Sequence, residues 1–352
     1  MSDVPVRRPA AVVDRATAVF ASHRELLFSV VYNMLASVSD TEDVLQETWL
    51  AWSRRTGRTD GGDGGDGGDG GDGGDGGDGQ DLRGIDNPRA YLVRIAVNQA
   101  LARRAGISRR REAYVGPWLP EPLATGTPEA SDSPQAARSA DAAESALRHE
   151  SVSMAMLVVL ETLTPLERAV FVLHEVFGYA HTEIAVILER RPAAIRQLAH
   201  RAREHVQARR PRYQADRRLQ RQVTERFIAA ALGGDLAGLM SLLAPDVTLW
   251  ADGGGKADAT VRPVSGQEKV AKLITGYATG RLPDSVDLRY QQVNGDPSVV
   301  VFADGSPTAF MVVDLDAESD KVTDIYLVTN PDKLSGVAAQ DSGAAGGAPA
   351  GQ

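Results

Sequence analysis

Two hydrophobic rhythms divide the chain. Between residues 14 and 210 apolar side chains recur every three or four positions, the spacing of amphipathic helices. Val19, Phe20, Leu26, Leu27, Val30, Val31, Met34 and Leu35 share one such stripe, and residues 14–56 predict two helices. Ser39 or Asp40 is expected to cap the second, with Asp43 in its first turn. A third helix is expected from Pro88, a residue suited to a first helical turn, to Arg104. Residues 151–210 read as helical again. Past residue 214 two or three helices give way to short alternating strands near Val247–Ala251, Val286–Val293, Val299–Ala303, Ala309–Leu315 and Val322–Thr329. The order from Leu219 to Thr329 suits a cone-shaped α+β domain whose curved sheet surrounds a pocket.

Three stretches carry no such rhythm. Asp60–Gly79 is a run of Asp-Gly-Gly units with nothing to bury and high backbone entropy, and disorder is expected. Residues 113–150 are rich in Pro, Ala, Ser and Thr and read as a linker. Residues 335–352 read as a disordered Gly/Ala tail. The domain map is then 1–112, the linker 113–150, a second helical unit 151–210, and an α+β domain 214–334.

Composition removes several classes. The chain has no cysteine, so disulfides and thiolate metal sites are excluded. The six histidines show no HExxH spacing, and no metal or cofactor is expected. No apolar run approaches the ~20 residues needed to span a bilayer, and no secretory signal opens the chain. A cytoplasmic protein with no membrane partner is expected. The net charge of −9 argues against a simple nucleic-acid binder, but its distribution reverses the point. Residues 190–226 hold twelve Arg against three acids, a density that suits phosphate contact.

That basic block contains a helix-turn-helix pattern: Thr182–Leu188, a turn at Glu189–Arg191, then Pro192–Glu204. Ile195, Leu198, Ala199 and Ala202 fall on one face of the second helix. Arg196, Gln197, His200, Arg201 and Glu204 fall on the other. Arg and Gln are the side chains that read guanine and adenine edges in a major groove. The turn puts Glu189 where glycine would be easiest. An amphipathic helix in an ordinary bundle is the plainer reading. Upstream, Asp43, Gln46, Glu47 and Leu50 form a mostly polar stripe on the second helix, fit for a protein partner or for water. Arg94 and Asn98 share a side of the third helix, and Arg103, Arg104, Arg109, Arg110 and Arg111 follow. Such a surface could grip a melted strand, or could simply cap the helix C-terminus.

These pieces, in this order, resemble sigma factors of the extracytoplasmic-function group. SDTEDVLQETWLAW (Ser39–Trp52) is similar to their polymerase-binding helix in region two. NPRAYLVRIAVNQALARR (Asn87–Arg104) is similar to the promoter-melting helix. LTPLERAVFVLHEVFGYAHTEIAVIL (Leu163–Leu188) with IRQLAHRARE (Ile195–Glu204) is similar to region four. Three further motifs, WLPEP (Trp118, Leu119, Pro120, Glu121, Pro122), DGGGK (Asp252, Gly253, Gly254, Gly255, Lys256) and NPDKL (Asn330, Pro331, Asp332, Lys333, Leu334), resemble the subgroup fused to a SnoaL-like domain.

The resemblance implies two all-α sigma domains and a C-terminal SnoaL-like α+β domain that stands in for a separate anti-sigma protein. It implies binding to RNA polymerase core, its β′ and β subunits, through Asp43, Gln46, Glu47 and Leu50. The −35 element would be read through Arg196, Gln197, His200 and Arg201. The −10 strand would be held through Arg94, Asn98, Arg103 and Arg104. The Asp-Gly-Gly insert departs from the family, falling in a loop that helps read the −10 element. Two other readings stand beside this one. A DNA-binding regulator could act without polymerase. A SnoaL-like domain could bind a small-molecule ligand or act on one, with Asp252, Asp258, Tyr277 and Tyr290 as the available chemistry.

Overall fold

The structure, a computed structural model, describes residues 10–57, 85, 87–126, 152–209, 216–280, 286–316 and 318–338. The Asp-Gly-Gly insert, residues 127–150 of the linker, residue 151 and the tail from residue 339 lie outside the described residues.

Three mutually packed helices form the first unit: α1 (Ala10–Leu35), α2 (Val38–Gly57) and α3 (Pro88–Glu112). The stripe read from the sequence is the one that is buried. Leu27, Val30, Val31 and Leu35 meet Val44, Trp52, Leu92, Val93 and Val97, all fully enclosed. The Trp52 indole N–H would be an orphan there, and it donates to the Ala16 carbonyl at 2.9 Å. Helix α2 starts earlier than expected. Ser39 and Asp40 lie inside its first turn, and the Ser37 hydroxyl accepts the Asp40 N–H at 3.3 Å. Helix α3 is capped by Asn87, whose side chain accepts the Ala90 N–H. It runs two turns past Arg104, since Ile107 is still on the buried side.

The second unit holds α4 (Met154–Leu160), α5 (Pro165–Phe171), α6 (His181–Ile187) and α7 (Pro192–Gln207). Thr164 and Glu167 close a capping box on α5, which runs on into a π-helical turn, Val172–Val176. Between α6 and α7, Glu189 adopts φ +52°, the left-handed conformation that the missing glycine would take more easily. The two units share one apolar core: Val170 and Leu173 of the α5 segment and Ile184 and Ile187 of α6 lie in the same cluster as α1 and α3.

The remaining chain is an α+β domain. Helices α8 (Arg217–Leu232), α9 (Leu236–Leu242) and α10 (Gln267–Gly280) pack on a seven-stranded sheet of order β1-β4-β5-β6-β7-β2-β3. Its strands are β1 (Ala124–Gly126), β2 (Leu243–Asp252), β3 (Val264–Ser265), β4 (Asp287–Val293), β5 (Asp296–Ala303), β6 (Ser306–Leu315) and β7 (Val322–Val328). Among the described residues, β2 and β7 are the one pair that runs parallel. The face under the helices is filled by Phe227, Val299, Met311, Val313 and Ile325. The opposite face, Val293, Val300, Phe310, Val312 and Val328, is covered by Leu119, Met154, Leu334 and Val337. A sheet buried on both sides explains why β6 is buried without interruption from Ala309 to Val313 rather than alternating.

Two expectations are corrected by this arrangement. The linker contributes structure of its own, since Ala124–Gly126 adds a strand to the edge of β4. The tail begins with a helical turn, α11 (Ser335–Ala338), because Val337 finds the sheet face.

Candidate functional site

The three short motifs, far apart in sequence, meet at one point. The fully buried Asp252 carboxylate, at the end of β2, accepts three hydrogen bonds: from the Tyr114 hydroxyl, from the Leu119 N–H at 2.8 Å, and from Lys333 Nζ at 2.7 Å. Lys333 also donates to the Leu119 carbonyl at 2.6 Å. Its ammonium lies 3.6 Å from the centre of the Trp118 ring, with the Arg111 guanidinium 4.8 Å from the same ring. Burial pulls the Lys333 amine down to about 8 against the attraction of Asp252. Burial, reinforced by Asp252, pushes the Tyr114 phenol up.

The glycines of DGGGK are dictated by this packing. Gly254 has φ +60°, and a Cβ there would sit 2.4 Å from Asn330 Nδ2 and 2.9 Å from the Tyr114 hydroxyl. At Gly253 a Cβ would stand 2.4 Å from the Ala257 carbonyl. Asn330 donates in turn to the Tyr114 hydroxyl at 2.8 Å. Lys256 pairs with Asp332 at the exposed rim, a contact worth ~0–1 kcal/mol. Leu334 is buried under the linker, and Pro331 is exposed.

The other side of the linker is stitched to the first helical unit. Glu121 donates its N–H to the Ala36 carbonyl at 3.0 Å and accepts the Val38 N–H at 2.8 Å through its carboxylate. The Tyr32 hydroxyl donates to the Glu121 carbonyl and accepts from Asn294 Nδ2, both at 2.6 Å. Asn294 exchanges two further bonds with Leu123. Pro120 and Pro122 are buried, and α11 packs on the Pro122 carbonyl. The second helical unit is tied in as well. Asp296, half-buried and pushed up to about 7 by desolvation, accepts the Met154 N–H at 3.1 Å where α4 begins.

Helices α3, α4 and α5 join around Glu161, which receives Arg104 at 3.1 Å, Arg168 at 2.5 Å, and Arg111. Arg168 has no exposure and also donates to the Asn33 carbonyl. Burial and the neighbouring Arg104 lower its pKa.

The DNA-facing set divides. Arg196, Gln197, His200 and Arg201 are all exposed on α7, opposite buried Ile195, Ala199 and Ala202. On α3, Arg94 lies over the Tyr91 ring, and exposed Asn98 donates to the Ile187 carbonyl at 3.3 Å, so α6 sits against this surface. Arg103 and Arg104 are not presented as expected. Arg104 is buried, bonded to the Met34 carbonyl and Glu161. Arg103 faces α2 and pairs with Asp40 at 2.8 Å, with Glu47 at 3.3 Å, and with Asp43. The stripe assigned to polymerase therefore carries its own counter-ion, although Asp43 and Glu47 stay half exposed. Gln46 is exposed, and Leu50 is an exposed large apolar side chain, 49% accessible.

Sequence reasoning missed Tyr32, Tyr114, Glu161, Arg168, Asn294 and Asp296. Only Asn294 carried a signal. Asn294-Gly295 reads as a two-residue hairpin turn, and Asn294 has φ +54°. The pattern gives the turn and not the partner across the interface.

A helix-turn-helix with an exposed Arg/Gln face, docked on a three-helix unit with a charged and apolar stripe, is the two-domain arrangement of a DNA-binding transcription protein. Comparison with known proteins specifies it further. Models of Sigma-70 region 2 and Sigma-70 region 4 match residues 19–64 and 153–206. The ECF RNA polymerase sigma factor SigJ of Mycobacterium tuberculosis (strain ATCC 25618 / H37Rv) is 33% identical, over 90% of this chain and 92% of that one. The probable ECF RNA polymerase sigma factor SigI of the same species is 30% identical, over 94% and 98%. The crystal structure of M. tuberculosis SigJ superposes with a TM-score of 0.63 at 31% identity, covering 91% of this chain and 98% of that one. The chain belongs to the extracytoplasmic-function sigma factors, alternative sigma factors that direct RNA polymerase to promoters. The reading as a regulator that works without polymerase gives way to this. No helix among the described residues is long and apolar enough to cross a membrane.

Proposed function

We propose that the C-terminal domain is a built-in restraint on this sigma factor, acting through the linker. The observation that carries the reading is Lys333, which touches the Asp252 carboxylate, the Leu119 carbonyl and the Trp118 ring at once. One side chain thus ties all three motifs, and Glu121 and Tyr32 pass the tie to region two. While the clamp is closed, region four lies against the promoter-melting helix, with Asn98 bonded to α6. Release of the linker would free α7 to reach a −35 element through Arg196, Gln197, His200 and Arg201. It would also free Asn98 from the Ile187 carbonyl and leave it and Arg94 to the −10 strand. Core polymerase, through its β′ and β subunits, would dock on Asp43, Gln46, Glu47 and Leu50, and would compete with Arg103 for the two carboxylates.

The test is transcription in vitro with purified core polymerase. Removing residues 330–352 cuts the Lys333 contact and should raise activity by loosening the restraint. Removing residues 214–352 also strips the alignment that the domain provides and should lower it. Equal effects of the two truncations would refute control through the linker.

A further inference from the structure

A cleft on the C-terminal domain lies apart from the clamp. It opens between the first turns of α8 and strands β4 and β5, with a volume of about 460 Å³, within the range of ligand pockets. Arg217, Arg218 and Arg221 line one wall, and Tyr290, Gln292 and Pro297 the other. Arg221 is shared with Glu225 at 3.0 Å. Among the described residues neither Arg217 nor Arg218 has an ion-pair partner. The domain is otherwise acidic, with eight basic against fifteen acidic residues over 227–334. Three guanidiniums converging on one hollow of such a domain form a local positive site. A guanidinium offers paired donors matched to carboxylate or phosphate oxygens. The facing wall is different in kind, with a phenol ring and a proline to hold an apolar body and the Gln292 amide for a polar group. Walls on two sides fit a small molecule better than the convex backbone of a duplex.

We propose that this cleft binds a small organic oxyanion, a carboxylate or phosphate monoester carrying a flat or apolar body. The Arg217 charge is also felt by half-buried Asp296, the residue that accepts the Met154 N–H, and works to lower its pKa against the larger effect of desolvation. An occupant would therefore change the charge beside the tie to region four, which would give the restraint proposed above an input. The binding site itself does not depend on that restraint, and its test does not use transcription.

The experiment is calorimetric titration of the full-length chain with phenyl phosphate, benzoate and inorganic phosphate. Expected is one-to-one binding of phenyl phosphate with a Kd of roughly 1 mM or tighter, and weaker binding of inorganic phosphate. The double variant Arg217→Gln, Arg221→Gln should lose at least about tenfold in affinity. Arg226→Gln, exposed on the same helix outside the cleft, should bind as the parent does. Both variants alter exposed side chains, and unchanged circular dichroism melts check their folding. Four results overturn the proposal. The first two are no saturable binding of either organic probe and equal binding by the double variant. Another is equal affinity for inorganic phosphate and phenyl phosphate, which marks an adventitious ion only. The fourth is displacement of phenyl phosphate by a short duplex of random sequence, which assigns the arginines to DNA backbone instead.

Discussion

Lys333→Met removes one charge from a buried pair and keeps most of the side-chain volume. Asp252 has no exposure, and the Lys333 side chain is 7% exposed. Breaking such a pair by deleting one partner costs about 3–5 kcal/mol, because the survivor is left buried and uncompensated. Asp252 would keep the Tyr114 hydroxyl and the Leu119 N–H, so the lower end of that range is expected. The Leu119 amide is itself the reporter: it donates to Asp252, and its hydrogen exchange reads the opening of the clamp. At 1.36 kcal/mol per decade, protection at Leu119 should fall by roughly two orders of magnitude or more. Adding Asp252→Asn removes the stranded charge, so the double variant should be less open than the sum of the two single variants implies. Protection within about threefold of the parent in Lys333→Met, or strict additivity in the double variant, would refute the pair as the fastening of the clamp.

Other outcomes follow from the same geometry. Gly254→Ala drives a methyl into Asn330 and Tyr114 at a left-handed position, and should loosen the clamp by about 1–3 kcal/mol at the same Leu119 amide while leaving DNA binding by region four unchanged. Arg196→Ala and Gln197→Ala should each weaken −35 recognition by about 1–3 kcal/mol without altering core binding, as read by binding assays on promoter fragments and on core polymerase. The Asp296 carboxyl is raised to about 7 when docked, from an ordinary value of 3.8. The docked state therefore binds the extra proton between those values, and the contribution is full below pH 3.8 and lost as pH rises through about 7. Protection of the Met154 amide should accordingly increase on going from pH 7.5 to 5.5, after correction for intrinsic exchange, and Asp296→Asn should abolish that dependence.

Where the fold was legible in the sequence, one physical pattern sufficed. The α1 stripe and the buried face of α7 follow from a local period, while the strands were found by their short Val-rich runs, although β5 and β6 are buried on both faces rather than alternating. Glu189 marked a real cost in the turn, visible because only a positive φ closes it without glycine. What stayed hidden was long-range. Arg103 and Arg104 follow α3's recognised surface in a basic run, yet they turn inward, since Asp40, Asp43, Glu47 and Glu161 come from other helices. No spacing rule links Tyr114 with Asp252 or Tyr32 with Asn294. The motifs of the linker and the C-terminal domain were readable as a set only through resemblance, and their meeting point depends on how β2, β7 and the linker close in space.

The sheet of the C-terminal domain takes its edge strand and the cover of one face from chain made before it, Ala124–Gly126 and Met154. A ribosome finishes the two promoter-recognition units first and then needs more than a hundred further residues to reach α11. At about 5–20 residues per second, that interval is on the order of ten seconds. During it the sigma half exists without its fastener, with Leu119 and Met154 waiting for a surface that has not yet been synthesised. On the restraint proposed above, each molecule is unfastened until its C-terminal domain has been made. The same proposal makes that interval a race between a nearby polymerase core and the closing of the chain on itself.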